Sequence, residues 1–248
     1  MAVKINFKEL IVFENDDYIL INKPSFISTL EDRNDSQNIL GLAKEYSDDA
    51  QVCHRLDKDT SGVLAIAKKP EAYRHLSMQF ENRQVKKMYH AVVDGIHQFE
   101  NFLVDAPILK QNDGTVKISK LGKDAQTYFT TLATYKFQSL IQCSPVTGRM
   151  HQIRIHLSKL KAPITGDEAY GGKLFYVSSI KRGFQLKKET EEEPLIKRMA
   201  LHAFSLEFFL LNGELIKVEA PYPKDFRALV KQLAENLRQR SGQNNEYY

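Results

Sequence analysis

The chain has 248 residues, 42% of them apolar and 27% charged, with 14 Phe and 11 Tyr spread along it, which excludes disorder throughout and supplies a substantial core. Its longest unbroken apolar run, Val63 to Ala67, is five residues, far short of the roughly 20 that a helix needs to cross a bilayer. The net charge of +4 is uneven: residues 1–50 hold ten acids against five bases, a net of −5, which leaves +9 on residues 51–248. Such a basic body suits a polyanionic partner, although a solvated lysine-rich surface would look the same.

In chain order, Leu10–Phe13 and Tyr18–Ile21 flank the polar Glu14-Asn15-Asp16-Asp17 and predict a hairpin, closed by Pro24, which cannot donate to a ladder. Gly62–Lys68 reads as a buried strand. Pro70 is suited to the first position of a helix, in which Ala72, Leu76 and Phe80 share a face with Tyr73 beside them. Strands are expected at Val85–Val93, Ala125–Thr134 and Leu140–Pro145, and a helix over Arg149–Leu160 carrying the stripe Met150, Ile153, Leu157, Leu160. Residues 173–197 are polar and read as a loop or flap. Two strands follow, Ala203–Leu210 and Glu214–Ala220. An amphipathic helix with Phe226, Leu229, Val230, Leu233 and Leu237 comes next, then a polar tail at 241–248. No repeat or linker marks a boundary, so one domain over 1–248 is expected. No signal peptide is read, because Lys8 and Glu9 interrupt the N-terminal segment and no cleavage site follows. Cys53 and Cys143 form neither a metal spacing nor a disulfide framework, so the cytoplasm is the expected compartment.

The stretch His54-Arg55-Leu56-Asp57-Lys58-Asp59-Thr60-Ser61-Gly62 is a polar turn feeding an apolar strand, a place where a carboxylate can sit at a cleft edge. Arg55 and Lys58 flank Asp57 and favour its ionised form. Local chemistry also fits a plain turn, with Asp and Ser bonding nearby N–H groups and Gly62 supplying freedom. Asp57-Lys58-Asp59 with a hydroxyl at Ser61 resembles the start of haloacid-dehalogenase-type phosphotransferases, but there the acid closes a strongly apolar strand, and Gln51–Leu56 is polar.

His54-Arg55-Leu56-Asp57, two residues, then Thr60-Ser61-Gly62 resembles the catalytic signature of the RluA-type pseudouridine synthases. Val85, Lys87, Tyr89 and Gly95 are similar to that family's second motif, and Pro145–His156 to its third. Leu201-His202-Ala203 and Pro221-Tyr222-Pro223 resemble its closing strands, and Glu14 to Pro24 its opening, so the likeness covers about 10–230.

This resemblance implies a mixed α/β fold: a long, bent, mainly antiparallel sheet with packed helices and a central catalytic cleft, in compact form without an N-terminal RNA-binding domain. It implies an RNA isomerase that detaches uracil, turns it and rejoins it through C5, with no cofactor and no metal. Asp57 is then the reacting aspartate, which can attack the sugar, attack the base or take a sugar proton. Tyr89 would stack on the target base and is a candidate to accept the C5 proton. Arg154 would pair with Asp57 by a bidentate ion pair. Arg55 would enter the duplex as the base leaves, while Thr60, Arg149, His151 and the more structural His54 complete the expected substrate contacts. Extracting a base costs a few kcal/mol, which phosphate contacts must offset. Lys58, Lys68, Lys69, Arg83, Lys86 and Arg149 are candidates for those. The expected partner is structured RNA, ribosomal or transfer, with no membrane and the protein acting as a monomer. The readings from other classes are an RNA-binding or RNA-folding protein without catalysis and an Asp-x-Asp phosphotransferase.

Overall fold

In a computed structural model of the protein, residues 5–31, 37–181, 183–185 and 191–238 are described. They build a mixed α/β fold. The expected hairpin forms from β1 (Ile11–Glu14) and β2 (Tyr18–Lys23). Asn15 organises its turn, its Oδ1 accepting from the N–H groups of Asp17 (2.9 Å) and Tyr18 (2.7 Å). Next come α1 (Ile39–Tyr46), β3 (Gln51–Val52), β4 (Ser61–Ala67), α2 (Pro70–Glu81) and β5 (Lys86–Asp94). The chain continues through β6 (Phe102–Asp105), β7 (Ile108–Lys110), β8 (Val116–Ile118), β9 (Gln126–Thr134), β10 (Gln138–Pro145) and α3 (Gln152–Lys159). It closes with β11 (Leu201–Phe209), β12 (Leu215–Glu219) and α4 (Lys224–Arg238). Among the described residues no helix is long and apolar enough to cross a membrane. The tail expected at 241–248 lies outside the described residues.

The chain divides into two compact units, one holding the described residues up to Tyr89 with Leu201–Tyr222, the other His90–Ala200 with the residues from Pro223 on. In the first unit β4 lies between β2, to which it is antiparallel, and β11, to which it is parallel. Alternation then sends Tyr18, Leu20, Val63, Ala65 and Ala67 to one face with Ala72 and Leu76 of α2. Ile19, Ile21, Leu64 and Ile66 go to the other, with Ile39, Leu42 and Ala43 of α1. Both faces are covered, which is why β4 is apolar throughout rather than alternating. α1 is not among the elements expected from the sequence. Eight residues long, it is held by packing and by Asn38, whose side chain accepts from the N–H of Gly41 at 2.8 Å.

In the second unit β9 pairs with β10 and β6, all antiparallel, and β7–β8 form a separate hairpin. Ile155 of α3 packs with Ile108, Val116 and Ala125. The helix expected from Arg149 starts only at Gln152, because His151 is left-handed (φ 53°). The Gln152 side chain fixes that corner: its Oε1 accepts from the Thr147 hydroxyl (2.7 Å) and the Arg149 N–H (3.0 Å), and its Nε2 donates to Gln126 O and the Thr127 hydroxyl (2.9 Å each). In the polar 173–197 segment, Phe175, Ile180 and Ile196 are nonetheless buried, with a bridge between Phe175 and Ile196; residues 182 and 186–190 fall outside the described residues. α4 presents Phe226, Leu229 and Leu233 inward and is tied by Asp225 to the fully buried Arg198 side chain.

Candidate active site

In the first unit Asp57 is half-buried on the turn that leads into β4. The turn is closed by the Thr60 N–H donating to Asp57 O at 3.0 Å. Neighbouring segments grip it. The Thr29 hydroxyl donates to Leu56 O (2.9 Å) and accepts from Leu56 N–H (3.2 Å). Lys58 O accepts from the Phe26 N–H (3.0 Å) and from Nζ of Lys23 (3.0 Å). Lys23 is fully buried, and its ammonium also donates to Pro24 O (2.8 Å) and Ile27 O (2.9 Å), so the desolvated charge meets three carbonyls. Downstream, the Ser61 hydroxyl lies 2.9 Å from Nδ1 of His202, whose Nε2 is 3.0 Å from Ala220 O. Because a carbonyl only accepts, Nε2 carries the proton and Nδ1 accepts from Ser61. Gly62 sits against Ala203 at φ +118°. Thr60 is itself buried.

His54 braces the same region. Its Nε2 accepts from the Ala65 N–H (3.1 Å) and its ring rests 4.9 Å from Phe80. Burial, and then the charge of Lys87, push its pKa down to about 3, so the imidazole is neutral at working pH. Lys87 itself is pushed down to about 8 by burial. Unfolded His54 titrates near 6.5 and folded His54 near 3, so in that window the unfolded chain binds more protons and stability falls as pH falls, by up to about 1.4 kcal/mol per pH unit. Urea midpoints between pH 7 and 4 are therefore expected to decline less steeply in His54→Gln than in wild type. Parallel declines would contradict this use of His54. Arg55 is exposed beside the turn, and Tyr89, half-buried on β5, packs against the cluster that contains Leu56 and Leu64.

The second unit carries Arg149, His151 and Arg154. The Arg149 Nε–H donates to Asp124 O at 3.0 Å. Nε and Nη2 of Arg154 donate to Oδ2 and Oδ1 of Asp167 at 2.7 and 2.8 Å. The guanidinium lies 4.7 Å from the Tyr170 ring centroid, and the Tyr170 hydroxyl is 2.8 Å from Nδ1 of His151. Sequence reasoning offers Arg154 one carboxylate, Asp57; within its own unit the structure supplies Asp167. The only signal for it is an acid bracketed by glycines, Gly166-Asp167 and Gly171-Gly172. Among the described residues no group of three or more His, Cys, Asp or Glu is placed to hold a metal ion.

Of the expected phosphate contacts, Lys68 is paired with Glu14 (2.8 Å), Lys69 with Asp17 (3.1 Å) and Lys86 with Glu207 (2.6 Å). Lys110, Lys117, Lys120 and Lys123, on and beside the β7–β8 hairpin, are exposed and matched to no carboxylate among the described residues. Sequence reasoning did not single these out, because pairing is a tertiary property.

A family model described as RNA pseudouridylate synthase matches residues 17–159, which include Asp57, Tyr89 and Arg154. Ribosomal large subunit pseudouridine synthase C of Pasteurella multocida (strain Pm70) is 34% identical over 247 residues, 95% of this chain and 72% of that protein. The solved structure titled Human RNA Pseudouridylate Synthase Domain Containing 1 is similar with a TM-score of 0.67 at 26% identity, covering 92% of this chain and 94% of that one. Human RNA Pseudouridylate Synthase Domain Containing 4 is similar in fold, with a TM-score of 0.69 at 24% identity over 92% of this chain and 95% of that one.

Proposed function

The chain belongs to the RNA pseudouridylate synthase family, whose members are RNA isomerases, and from that premise we propose that it converts specific uridines of large-subunit ribosomal RNA to pseudouridine through Asp57. The observation that carries the choice of Asp57 is its mounting. Lys23, Phe26 and Thr29 grip the backbone of the turn from one side, while Ser61 and Gly62 fix its exit on β11, so the turn that carries the half-buried Asp57 is fixed in place. Such preorganisation is what a group needs to meet a reacting atom without first rearranging. The choice of ribosomal RNA rests on the name of the Pasteurella relative.

The isomerisation breaks the N1–C1′ bond, turns the uracil and forms C5–C1′; the proton leaves C5 and one returns to N1, so atoms balance without an outside reactant. Asp57 supplies the carboxylate that attacks C1′ or the ring, or removes a sugar proton. Tyr89 stacks on the base, and its hydroxyl takes the C5 proton, with a neighbour's help because a phenol is a weak base. Arg154 orients the carboxylate as an ion, and Arg55 fills the space the base vacates. His54, neutral and bonded to the backbone, positions the turn and takes no proton.

RNA held by phosphate contacts should dissociate with salt, and the exposed hairpin lysines, matched to no carboxylate among the described residues, are the natural contacts. Replacing Lys117 and Lys120 with Ala is expected to reduce the slope of log affinity against log salt by about 1.5, with kcat at saturating RNA unchanged. An unaltered slope would remove the hairpin from the interface. The proposal as a whole is tested by mapping pseudouridine in ribosomal and transfer RNA from cells lacking the gene. One or more large-subunit positions should revert to uridine and be restored by the wild-type gene. Reversion confined to transfer RNA would overturn the substrate, and no reversion in any RNA would overturn the function.

A further inference from the structure

We infer that Asp167 is a positioning residue for Arg154, fixing the plane and direction in which the guanidinium is presented. The inference rests on the reading that Arg154 acts in the isomerisation. The side chains involved are nearly dry, 12% exposed for Arg154 and 3% for Asp167. Both carboxylate oxygens are used, Oδ2 on Nε and Oδ1 on Nη2, which is the side-on fork that sets a guanidinium in one plane. The guanidinium carbon lies over the Tyr170 ring, 4.7 Å from its centroid, which adds a second restraint on the group. With the Nε–Nη2 edge committed to Asp167, the direction in which the rest of the guanidinium is presented is set.

Asp167 stands on a rigid platform. Its N–H donates to Ile164 O (2.9 Å), and its own carbonyl accepts from Tyr170 N–H (3.0 Å) and Gly172 N–H (2.9 Å). Thr165 is stitched by its N–H to Val92 O (2.9 Å) and by its hydroxyl to Asp94 (2.7 Å). A Cβ on Gly172 would lie 1.9 Å from Ile164 O, so the segment closes this tightly only with glycine there. Tyr170 is held by the Ser158 hydroxyl on its carbonyl (2.9 Å) and by His151 on its own hydroxyl. A plain strut between α3 and the following turn would need one hydrogen bond. The two-point fork with a ring beneath it fixes orientation as well as distance.

The test is a double-mutant cycle on full-length protein with ribosomal RNA transcript as substrate, reading kcat, KM and the thermal midpoint. Asp167→Asn keeps volume and one acceptor but removes the charge and the fork; it is expected to lower kcat about 30-fold with KM within about twofold. In an Arg154→Lys background, already slow, the same change should cost less than about twofold, because the group it orients is gone. Should Asp167→Asn fail to fold, Asp167→Glu, which keeps the charge but moves the fork by one methylene, is read in the same way. Losses that multiply in the two backgrounds, or an unchanged kcat in Asp167→Asn beside a damaged Arg154→Lys, overturn the inference alone. Wild-type turnover in Arg154→Lys overturns the reading of Arg154, and the inference falls with it.

Discussion

Asp57→Asn is expected to lower pseudouridine formation by at least about 1,000-fold, on the order of 4 kcal/mol of transition-state stabilisation, with RNA affinity within a few-fold of wild type. The asymmetry follows from how the turn is built. The contacts that hold it use the backbone at Leu56, Asp57 and Lys58, met by Thr29, Thr60, Phe26 and Lys23. Asparagine keeps all of these and nearly the same volume, so the fold and the RNA surface are retained. What goes is the charge, which as nucleophile or as base is what each of the open routes needs. A variant that lost binding and turnover together would instead mark Asp57 as a contact residue.

Gly62→Ala carries the largest expected effect on stability, a loss of about 3 kcal/mol or more. Gly62 has φ +118°, and a Cβ there would sit 2.1 Å from Ala203 O and 2.6 Å from Ala203 N. Both are backbone atoms of β11, paired in parallel through His202↔Ser61 and Ala203↔Gly62, so relief requires the strands to separate. Separation would also strain the Ser61–His202 bond and loosen the exit of the Asp57 turn, so activity should fall with stability. Gly114 is the control: its φ is +83° but nothing lies within 4 Å of an added Cβ, so Gly114→Ala should cost only about 1 kcal/mol. Urea midpoints of the two variants separate clash from backbone strain, and equal midpoints would contradict the close approach.

The parts of the fold legible in the sequence are those whose burial is periodic and long. β4, α2, β9, β10 and α4 lie within one to three residues of their expected places. β6, β7 and β8 are too short to show a period, and α1 carries one (Ile39, Leu42, Ala43, Tyr46) over barely two turns; α1 and β6 are secured by partners distant in sequence. The start of α3 moves because Gln152, polar and unremarkable in the sequence, is buried and spends its amide on the preceding corner. For the site, Asp57, Tyr89 and Arg154 were named through the motifs' likeness to a family rather than through local chemistry, which allowed a plain turn, a strand tyrosine and a surface arginine. The groups that hold these residues were not legible. Lys23 in sequence is an ordinary lysine before a proline; only its burial among three carbonyls reveals its use. His202 likewise acquires meaning from Ser61, far away along the chain, and Asp167 from the fork it makes with Arg154 across a turn.

The most direct test of the central claim is tritium release from ribosomal RNA labelled at uridine C5 and taken from cells lacking the gene, comparing wild-type protein with Asp57→Asn at equal occupancy. The account predicts release by the wild type to a plateau matching the number of modified uridines, and none by the variant while it still binds. Release by Asp57→Asn at a rate near wild type, or none by the wild type, would contradict it.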